Sequence, residues 1–411
     1  MSHSHFHWFL PTAGDSRDIV GASHASATKR RPPGYRAPDL PYLVEVARTA
    51  DRLGFESVLT PTGTWCEDAW LTTAAAAQHT EKLSFLVAFR PGLISPTLAA
   101  QQAATLQRFN GGRIDVNIVT GGDEIEQRRF GDRVDHDRRY ARTAEFLEVV
   151  TRLWDGETVD FAGEFYTIDG AFIPEPPQPR PTVFFGGSSD PALTVAADHA
   201  EVYLTWGEPP QVAGAKINEV ARRAETRGRT LEYGVRLHVI ARETSAEAWR
   251  VADRLLAGIS DDEIAAAFAL HSASDSTGQR RMAELHGGRR DQLEIHPGLW
   301  AGVGLIRGGA GTALVGSYDE VADLIGEYEE QGFSHFILSG TRTSRRRTGL
   351  PKGCCPCLPS VRLIDRDSSA LPCFEPGFLL VDDEDPSASA DDLGAGLVLE
   401  GPDGVAYLHA A

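Results

Sequence analysis

The stretch from residue 83 to residue 119, LSFLVAFRPGLISPTLAAQQAATLQRFNGGRIDVNIV, decides the fold. Its ends, Leu83–Phe89 and Ile114–Val119, are short and apolar, as buried strands are. Between them, Thr97–Phe109 carries apolar residues at helical spacing. A strand, a helix and a second strand in this order predict a βαβ unit with parallel strands.

The same alternation continues on both sides of this unit. The remaining strand candidates are His5–Leu10, Ser57–Leu59, Thr182–Phe185, Glu201–Thr205, Gly234–Ala241 and Ser334–Leu338. The remaining helix candidates are Leu40–Leu53, Tyr140–Trp154, Pro191–His199, Gln211–Arg227, Ala246–Leu256 and Tyr318–Gln331. Eight strands that alternate with helices predict an α/β fold closed into a TIM (β/α)₈ barrel. An open doubly wound sheet is the alternative.

Two segments interrupt the alternation. Residues 158–181 combine alternating aromatic residues with a proline-rich run, which predicts a hairpin-like insertion. Residues 258–316 form a long connection with a glycine-rich end, a length typical of an active-site lid. We therefore expect one barrel domain over residues 1–340, and a separate tail over residues 341–411.

Composition narrows the function. The formal net charge of −18 argues against general binding to nucleic acid or anionic membranes, but it allows a local cationic pocket for a small anion. No basic and apolar leader precedes the first strand, and no apolar run is long enough to span a bilayer. Cys66 is the one cysteine in the first 340 residues, which predicts a cytoplasmic protein without disulfides.

In a barrel of this kind the active site lies at the carboxyl ends of the strands. On the strand Gly234–Ala241, Arg236 and His238 face the same side. A buried guanidinium needs an anion or a carboxylate, so the pair is either part of an anion site or a structural ion pair.

Further polar residues end neighbouring strands. Ser188 and Ser189 follow Phe185 and open a helix, which suits a phosphate, although an ordinary helix cap is equally compatible. Asn117 and Thr120 end another strand, and Tyr140 begins the next predicted helix.

Three more candidates complete the set. Trp206 ends a strand before two prolines, Cys66 follows the second strand, and Arg307 lies in the glycine-rich end of the long connection. An arginine among glycines suits a loop that closes over an anion, or is simply solvated. No His, Cys, Asp or Glu set in residues 1–340 has metal-ligand spacing along the sequence, so no metal site is predicted.

The motifs together resemble the flavin-dependent alkanesulfonate monooxygenases of the bacterial luciferase-like superfamily. The matching stretches are WFLPT at 8–12, PTG–CEDAWL at 61–71, FLVAFRP at 85–91, SPTLAAQQAATL at 95–106, VNIVTGGD at 116–123, FGGSSD at 185–190, YLTWGEPP at 203–210, RLHVIARET at 236–244 and LWAGVGLIRGGAGTALVG at 299–316. The likeness runs from about residue 5 to residue 340.

The resemblance implies a luciferase-like TIM barrel that binds reduced FMN from a separate NAD(P)H-dependent FMN reductase. With O₂ it would convert an alkanesulfonate to an aldehyde and sulfite, as part of sulfur acquisition. It implies catalytic roles for Cys66, Trp206, Arg236, His238 and Arg307. Contacts to the flavin would come from Asn117, Thr120, Tyr140, Ser188 and Ser189. Family members commonly form homo-oligomers. A monooxygenase for methanesulfonate or a sulfone, or an inactive flavin-binding barrel, remains an alternative.

The chain departs from the family pattern at three places. Ala13 stands where the family has a histidine, and residues 24–35 lengthen the following loop. After Gly340 the family continues with a tyrosine, but this chain continues with Thr341. One extra nucleotide before a GC-rich codon set for residues 341–359 would restore the family ending, YPHLEEAYRVAEGVLPVLA. The tail is therefore interpreted as out of frame and of low order. The competing interpretation is a metal or redox site at Cys354, Cys355 and Cys357, which lacks the second pair of a zinc ribbon.

Overall fold

The structure, a computed structural model, describes residues 3–16, 19, 35–340, 398–401 and 404–407. Within them the strands are β1 His5–Phe9, β2 Ser57–Thr60, β3 Ser84–Phe89, β4 Ile114–Ile118, β5 Val159–Ala162, β6 Thr167–Ala171, β7 Val183–Gly186, β8 Val202–Trp206, β9 Glu232–Arg242, β10 Glu294–His296, β11 Leu299–Trp300, β12 Ala313–Ser317, β13 His335–Ser339, β14 Val398–Gly401 and β15 Gly404–Tyr407. The helices are α1 Leu40–Arg52, α2 Ala69–Ala76, α3 Pro96–Phe109, α4 Glu124–Arg129, α5 His136–Trp154, α6 Asp190–His199, α7 Pro210–Glu225, α8 Ser245–Ala257, α9 Asp261–Ser272, α10 Thr277–His286 and α11 Tyr318–Glu330.

Eight parallel strands form a closed barrel. The order around it is β1, β2, β3, β4, β7, β8, β9 and β13, and pairing of β13 with β1 closes the ring. Each of the eight predicted strands is present with bounds shifted by a few residues at most, and the closed barrel is confirmed against the open sheet. All seven predicted helices are present as well.

Local sequence explains why the helices start and pack where they do. In α3, the Ser95 side chain caps the helix by accepting a hydrogen bond from the Leu98 amide, and Pro96 occupies the first turn. The face that it buries is made of small residues, namely Ala99, Ala100, Ala103 and Ala104. Small side chains let α3 approach α5 closely, so the two helices share one core outside the barrel.

The interior of the barrel is filled by a separate cluster of apolar side chains. Its buried members are Leu59, Leu86, Phe184, Val202, Leu204 and Ile337. Because side chains alternate along a strand, Val235 and Leu237 of β9 join the outer core, while Arg236 faces the interior above this plug. These side chains fill the interior of the barrel, and a space opens only toward the carboxyl ends of the strands.

The two interruptions differ from each other. Residues 158–181 contain the predicted hairpin, in which β5 and β6 pair antiparallel. The long connection over residues 258–316 holds α9, α10 and the strands β10 to β12, and its role as a lid stays a prediction. Strand β12 pairs in parallel with the carboxyl half of β9, which extends the sheet beyond the barrel. Strands of two or three residues are too short for a periodicity argument, so the sequence could not reveal them.

Several predictions fall outside the described residues. They are the loop insertion at 24–34 and most of the tail, including its three clustered cysteines. In the tail the structure describes one antiparallel pair, β14 with β15. Among the described helices, none is long and apolar enough to cross a membrane.

Candidate active site

A cavity of about 440 Å³ opens at the carboxyl ends of the barrel strands. Its wall comes from the rim of all eight barrel strands and from the turn between α9 and α10. The glycine-rich segment 307–310 closes one side. A space of this size, with apolar walls and a few convergent polar groups, is typical of a small-molecule site.

The structure brings eight of the ten predicted site residues together around this cavity. They are Asn117, Thr120, Tyr140, Ser188, Ser189, Trp206, Arg236 and Arg307. Cys66 and His238 lie behind the wall rather than on it.

Two arginines meet in the cavity without a carboxylate. Arg236 is buried and donates hydrogen bonds to the carbonyl oxygens of Leu237 (2.5 Å) and Ile337 (3.4 Å) and to Ser339 Oγ (2.8 Å). Its guanidinium also lies over the Phe9 ring at 4.5 Å. Burial, with a smaller contribution from Arg307, lowers the pKa of Arg236 well below its ordinary value. Among the described residues, no acidic side chain offsets this charge.

Arg307 is the second cation. Its guanidinium makes no hydrogen bond or ion pair with any described residue, and it lines the cavity. Burial lowers the pKa of Arg307 to about 10, so the side chain remains charged at neutral pH. Two uncompensated cations in a desolvated space are costly unless an anion binds between them.

His238 lies behind the wall and is bonded to the partner of Arg236 and to the loop that carries Arg307. Its Nε2 donates to the carbonyl oxygen of Ala310 (3.2 Å), which leaves Nδ1 to accept from the Ser339 hydroxyl (2.8 Å). The same hydroxyl accepts from Arg236. Burial, then the charges of Arg307 and Arg236, lower the pKa of His238 well below its ordinary value. A neutral imidazole with both nitrogens bonded is suited to holding its neighbours in place.

The start of α6 forms another part of the cavity wall. Ser189 precedes the helix without a side-chain capping bond, and its hydroxyl is buried, beside the Tyr140 hydroxyl, without a well-formed hydrogen bond to any described residue. Gly187 leaves space here, because a Cβ would lie 2.5 Å from Ala192 Cβ and 3.3 Å from the Tyr140 oxygen. An open helix N-terminus with spare hydroxyls is a suitable place for a phosphate.

Cys66 is held beneath the rim. Its Sγ lies 3.7 Å from the carbonyl oxygen of Pro61 and 3.6 Å from that of Gly63. Burial raises the pKa of the Cys66 thiol to about 12. The thiol is therefore neutral at physiological pH, which argues against a thiolate nucleophile.

The turn between α9 and α10 lines the cavity, and three contacts hold the first residues of α10 in place. A Cβ at Gly278 would lie 3.2 Å from the Trp206 ring, so α10 begins directly against that indole. Gln279 Oε1 accepts from the Gly309 amide at 2.8 Å and fixes the loop that carries Arg307. Arg281 donates to the buried Glu208 at 2.7 Å.

Sequence reasoning missed Arg90, which ends β3 and lines the cavity. It is buried and donates to Glu126 (2.5 Å) and Gln127 (3.0 Å), while its Nε has no partner among the described residues. The rule that selected Asn117 would also have selected Arg90, since both lie at the carboxyl end of a barrel strand. The residues of the α9–α10 turn had no comparable signal.

The luciferase-like monooxygenase family model matches residues 4–335. The chain belongs to this family. Solved structures with the same fold include a riboflavin lyase with modified FMN and riboflavin, at 21% identity and a TM-score of 0.67, covering 82% of this chain and 87% of the other. An EDTA monooxygenase from Chelativorans sp. BNC1 is 19% identical, with a TM-score of 0.63 and coverage of 82% and 90%. The oxygenating component of 3,6-diketocamphane monooxygenase from Pseudomonas putida, in complex with FMN, is 17% identical, with a TM-score of 0.57 and coverage of 82% and 91%. Identities this low support the luciferase-like fold and leave the substrate open.

Proposed function

We propose that this luciferase-like monooxygenase uses reduced FMN and O₂ to desulfonate alkanesulfonates. The single observation that carries the substrate class is the pair of cavity arginines, Arg236 and Arg307, which have no carboxylate partner among the described residues. A sulfonate would bring the missing negative charge and three acceptor oxygens. A guanidinium presents several donors in one plane, which suits such a group better than a neutral substrate.

The residues at the start of α6 fit the phosphate of FMN. The spare Ser189 hydroxyl, the Tyr140 hydroxyl and the backbone at Gly187 would hold it, as would Ser188. Asn117 and Thr120, which also line the cavity, would contact the rest of the cofactor. When bound, reduced FMN would supply the electrons that activate O₂.

The balance of the proposed reaction follows from this assignment. One oxygen atom of O₂ goes to the carbon that carried the sulfonate, and the other leaves as water. The carbon–sulfur bond breaks, and the products are an aldehyde, hydrogen sulfite, oxidised FMN and water. Because the oxidising equivalents come from O₂ and the electrons from reduced FMN, no metal is needed for the redox balance.

The protein's own side chains bind, orient and exclude water in this scheme. Arg236 and Arg307 hold the sulfonate, and neutral His238 positions Arg236 through Ser339 and the loop that carries Arg307 through Ala310. Trp206 under α10 limits the entry of water. Exclusion of water strengthens the arginine–sulfonate interaction and protects reactive intermediates.

Three further parts of the proposal rest on the resemblance. Reduced FMN would come from a separate NAD(P)H-dependent reductase, the protein would form a homo-oligomer, and Cys66 would shape the oxygen-binding region as a neutral thiol. One departure favours a second candidate, a flavin-binding barrel without turnover. Thr341 stands where the family has a tyrosine, immediately after the strand whose last residue, Ser339, contacts Arg236.

One assay separates these functions. Untagged protein is supplied with photoreduced FMN, O₂ and either alkanesulfonates of increasing chain length or a sulfone, and sulfite release and substrate oxidation are measured. Sulfite from longer alkanesulfonates supports the proposal. Sulfite from methanesulfonate alone, or oxidation of a sulfone alone, supports the related monooxygenases. FMN binding without sulfite supports the inactive barrel.

A further inference from the structure

The amino end of the barrel, opposite the cavity, carries a cluster of histidines and carboxylates. His5 begins β1, Glu232 begins β9 and His335 begins β13. These three strands are neighbours, with His5 paired to His335 and His335 paired to Gly234. Closure of the barrel therefore brings together residues from the first and the last barrel strands in the sequence, at one point on the amino-end rim.

The donor atoms of these three side chains are close enough to share an ion. One ligand atom from each of His5, Glu232 and His335 lies within 4.8 Å of the others. His335 Nε2 and Glu232 Oε2 are 2.9 Å apart, and the rings of His5 and His335 stack at 4.5 Å. Zn²⁺ binds imidazole nitrogen and carboxylate oxygen at about 2.0–2.2 Å, so tetrahedral ligand atoms lie about 3.4 Å apart. The 2.9 Å separation of His335 and Glu232 lies below that value, and the 4.8 Å limit on all three separations lies above it.

We propose that His5, Glu232 and His335 form a site for a divalent transition metal, with Zn²⁺ as the ion of best-matched ligand chemistry. Two imidazoles and one carboxylate are a common ligand set for this ion, with a fourth position left for water. His335 is buried, whereas His5 and Glu232 are accessible, so the ion can enter from solvent. The site is independent of the proposed reaction, since it lies at the other end of the barrel.

Hydrogen bonds from neighbouring residues hold the second ring nitrogen of each imidazole, as they do for ligating histidines in known metal sites. The Nδ1 of His5 is bonded to Glu56, which leaves Nε2 as the ligand atom. The Nδ1 of His335 is bonded to His7 Nε2 at 3.0 Å, and His7 Nδ1 is bonded to Ser57 Oγ at 2.7 Å. Bonds of this kind fix the orientation of a ligating imidazole and raise its basicity.

Metal binding shifts the protons of this network without changing the number that the two imidazoles hold. Without an ion, His335 Nε2 donates its proton to Glu232, and His335 Nδ1 accepts from His7. With an ion, the proton on His335 Nε2 leaves to solvent, His7 passes its Nε2 proton to His335 Nδ1, and a proton from solvent reaches His7 Nδ1 through the Ser57 hydroxyl, so that His335 Nδ1 donates to His7. The Ser57 hydroxyl can both donate and accept, so the buried chain of hydrogen bonds stays complete in either state. The ion would tie the first strand to the last, which is a stabilising role typical of this face of a barrel.

The test is a titration of untagged, chelator-treated protein with Zn²⁺, and with Co²⁺ for its visible absorption bands. We expect one ion per chain, tetrahedral Co²⁺ bands and a higher Tm with Zn²⁺. H5A and E232A remove accessible ligands and should weaken Zn²⁺ binding more than tenfold, while E56Q should weaken it by about tenfold. The matched control is H296A, because His296 also contacts a glutamate, Glu327, at 2.8 Å but lacks the second imidazole.

Circular dichroism and the metal-free Tm show whether each variant is folded. His3 lies edge-on to His5 with ring centroids 5.3 Å apart, so H3A checks for adventitious binding at the N-terminus. Retained affinity in H3A and H296A, with loss in H5A and E232A, supports the site. Absence of Zn²⁺ binding by the wild type, equal affinity in H5A and E232A, or loss in H3A alone would overturn it.

Discussion

The substitution R236M separates what Arg236 does for the fold from what it does for the substrate. Methionine retains the apolar length of the side chain and removes the charge. If Arg236 holds a sulfonate, its loss removes buried charge-assisted hydrogen bonds, which contribute about 2–5 kcal/mol. Sulfonate affinity should then fall by about 30-fold to 5,000-fold. The measurement is the Kd of octanesulfonate for the FMN-loaded protein.

The same substitution should affect stability much less. Arg236 makes two short hydrogen bonds, to Leu237 and Ser339, and bonds to a charged group contribute about 1.5–3 kcal/mol each. The desolvation of an uncompensated guanidinium costs several kcal/mol, which offsets them. We expect the free energy of unfolding to change by no more than about 2 kcal/mol. R242M, a buried arginine at the end of the same strand and outside the cavity, is the control. Unchanged sulfonate affinity in R236M, or an equal loss in R242M, would refute the reasoning.

Four other predictions address separate parts of the structure. G187A should weaken FMN binding by about 5- to 150-fold, measured by flavin fluorescence, because the added Cβ meets Ala192 at 2.5 Å, while G258A, with nothing within 4 Å, should not. Cys66 should resist alkylation until the pH approaches 12, because burial raises the pKa of its thiol in the folded protein. The neutral thiol's contribution to the free energy of unfolding is complete below the pKa of the unfolded chain and is lost as the pH rises through about 12. Urea unfolding of C66A and wild type at a series of pH values measures this loss. E208Q leaves Lys216 buried without its carboxylate and should lower the free energy of unfolding by about 3–5 kcal/mol, whereas the more exposed E219Q should change it little. Sequencing the gene across codon 340 should reveal a one-nucleotide slip, and an uninterrupted reading frame with no such slip would leave the tail as genuine protein.

The barrel could be predicted from sequence because its evidence is local and repeated. Each βα unit, such as Leu83–Phe109, shows a short apolar run followed by helical spacing, and the unit recurs along the chain. The strands β10 to β12 could not be predicted in this way. Strands β10 and β11 are only three and two residues long. Strand β12 takes its place by pairing with the far half of β9, which is information about the tertiary structure.

The sequence predicts site residues only as far as it shows which residues lie at the carboxyl ends of the barrel strands. The alternation along β9 correctly placed Arg236 and His238 on one face, and both are linked through Ser339. The pattern could not tell which of them reaches the cavity, since that depends on how the segment at Ala310 folds over His238. The roles given to these residues stay predictions.

Residues that become neighbours only when the barrel closes could not be found from their spacing along the sequence. No metal site was predicted because His5, Glu232 and His335 are far apart in the sequence and match no ligand motif. They become neighbours because β13 lies between β1 and β9 in the closed barrel. Among the described residues, this cluster shows most clearly what the topology adds to the sequence.

The most direct test of the central claim compares two ligands that differ in charge and little else. The claim is that Arg236 and Arg307 select an anionic head group because no described carboxylate offsets them. The Kd of octanesulfonate for the FMN-loaded protein is measured beside that of methyl octyl sulfone, which has the same chain and no charge. We predict that the sulfonate binds more tightly by about 30-fold or more. Equal affinities, or tighter binding of the sulfone, would contradict the account.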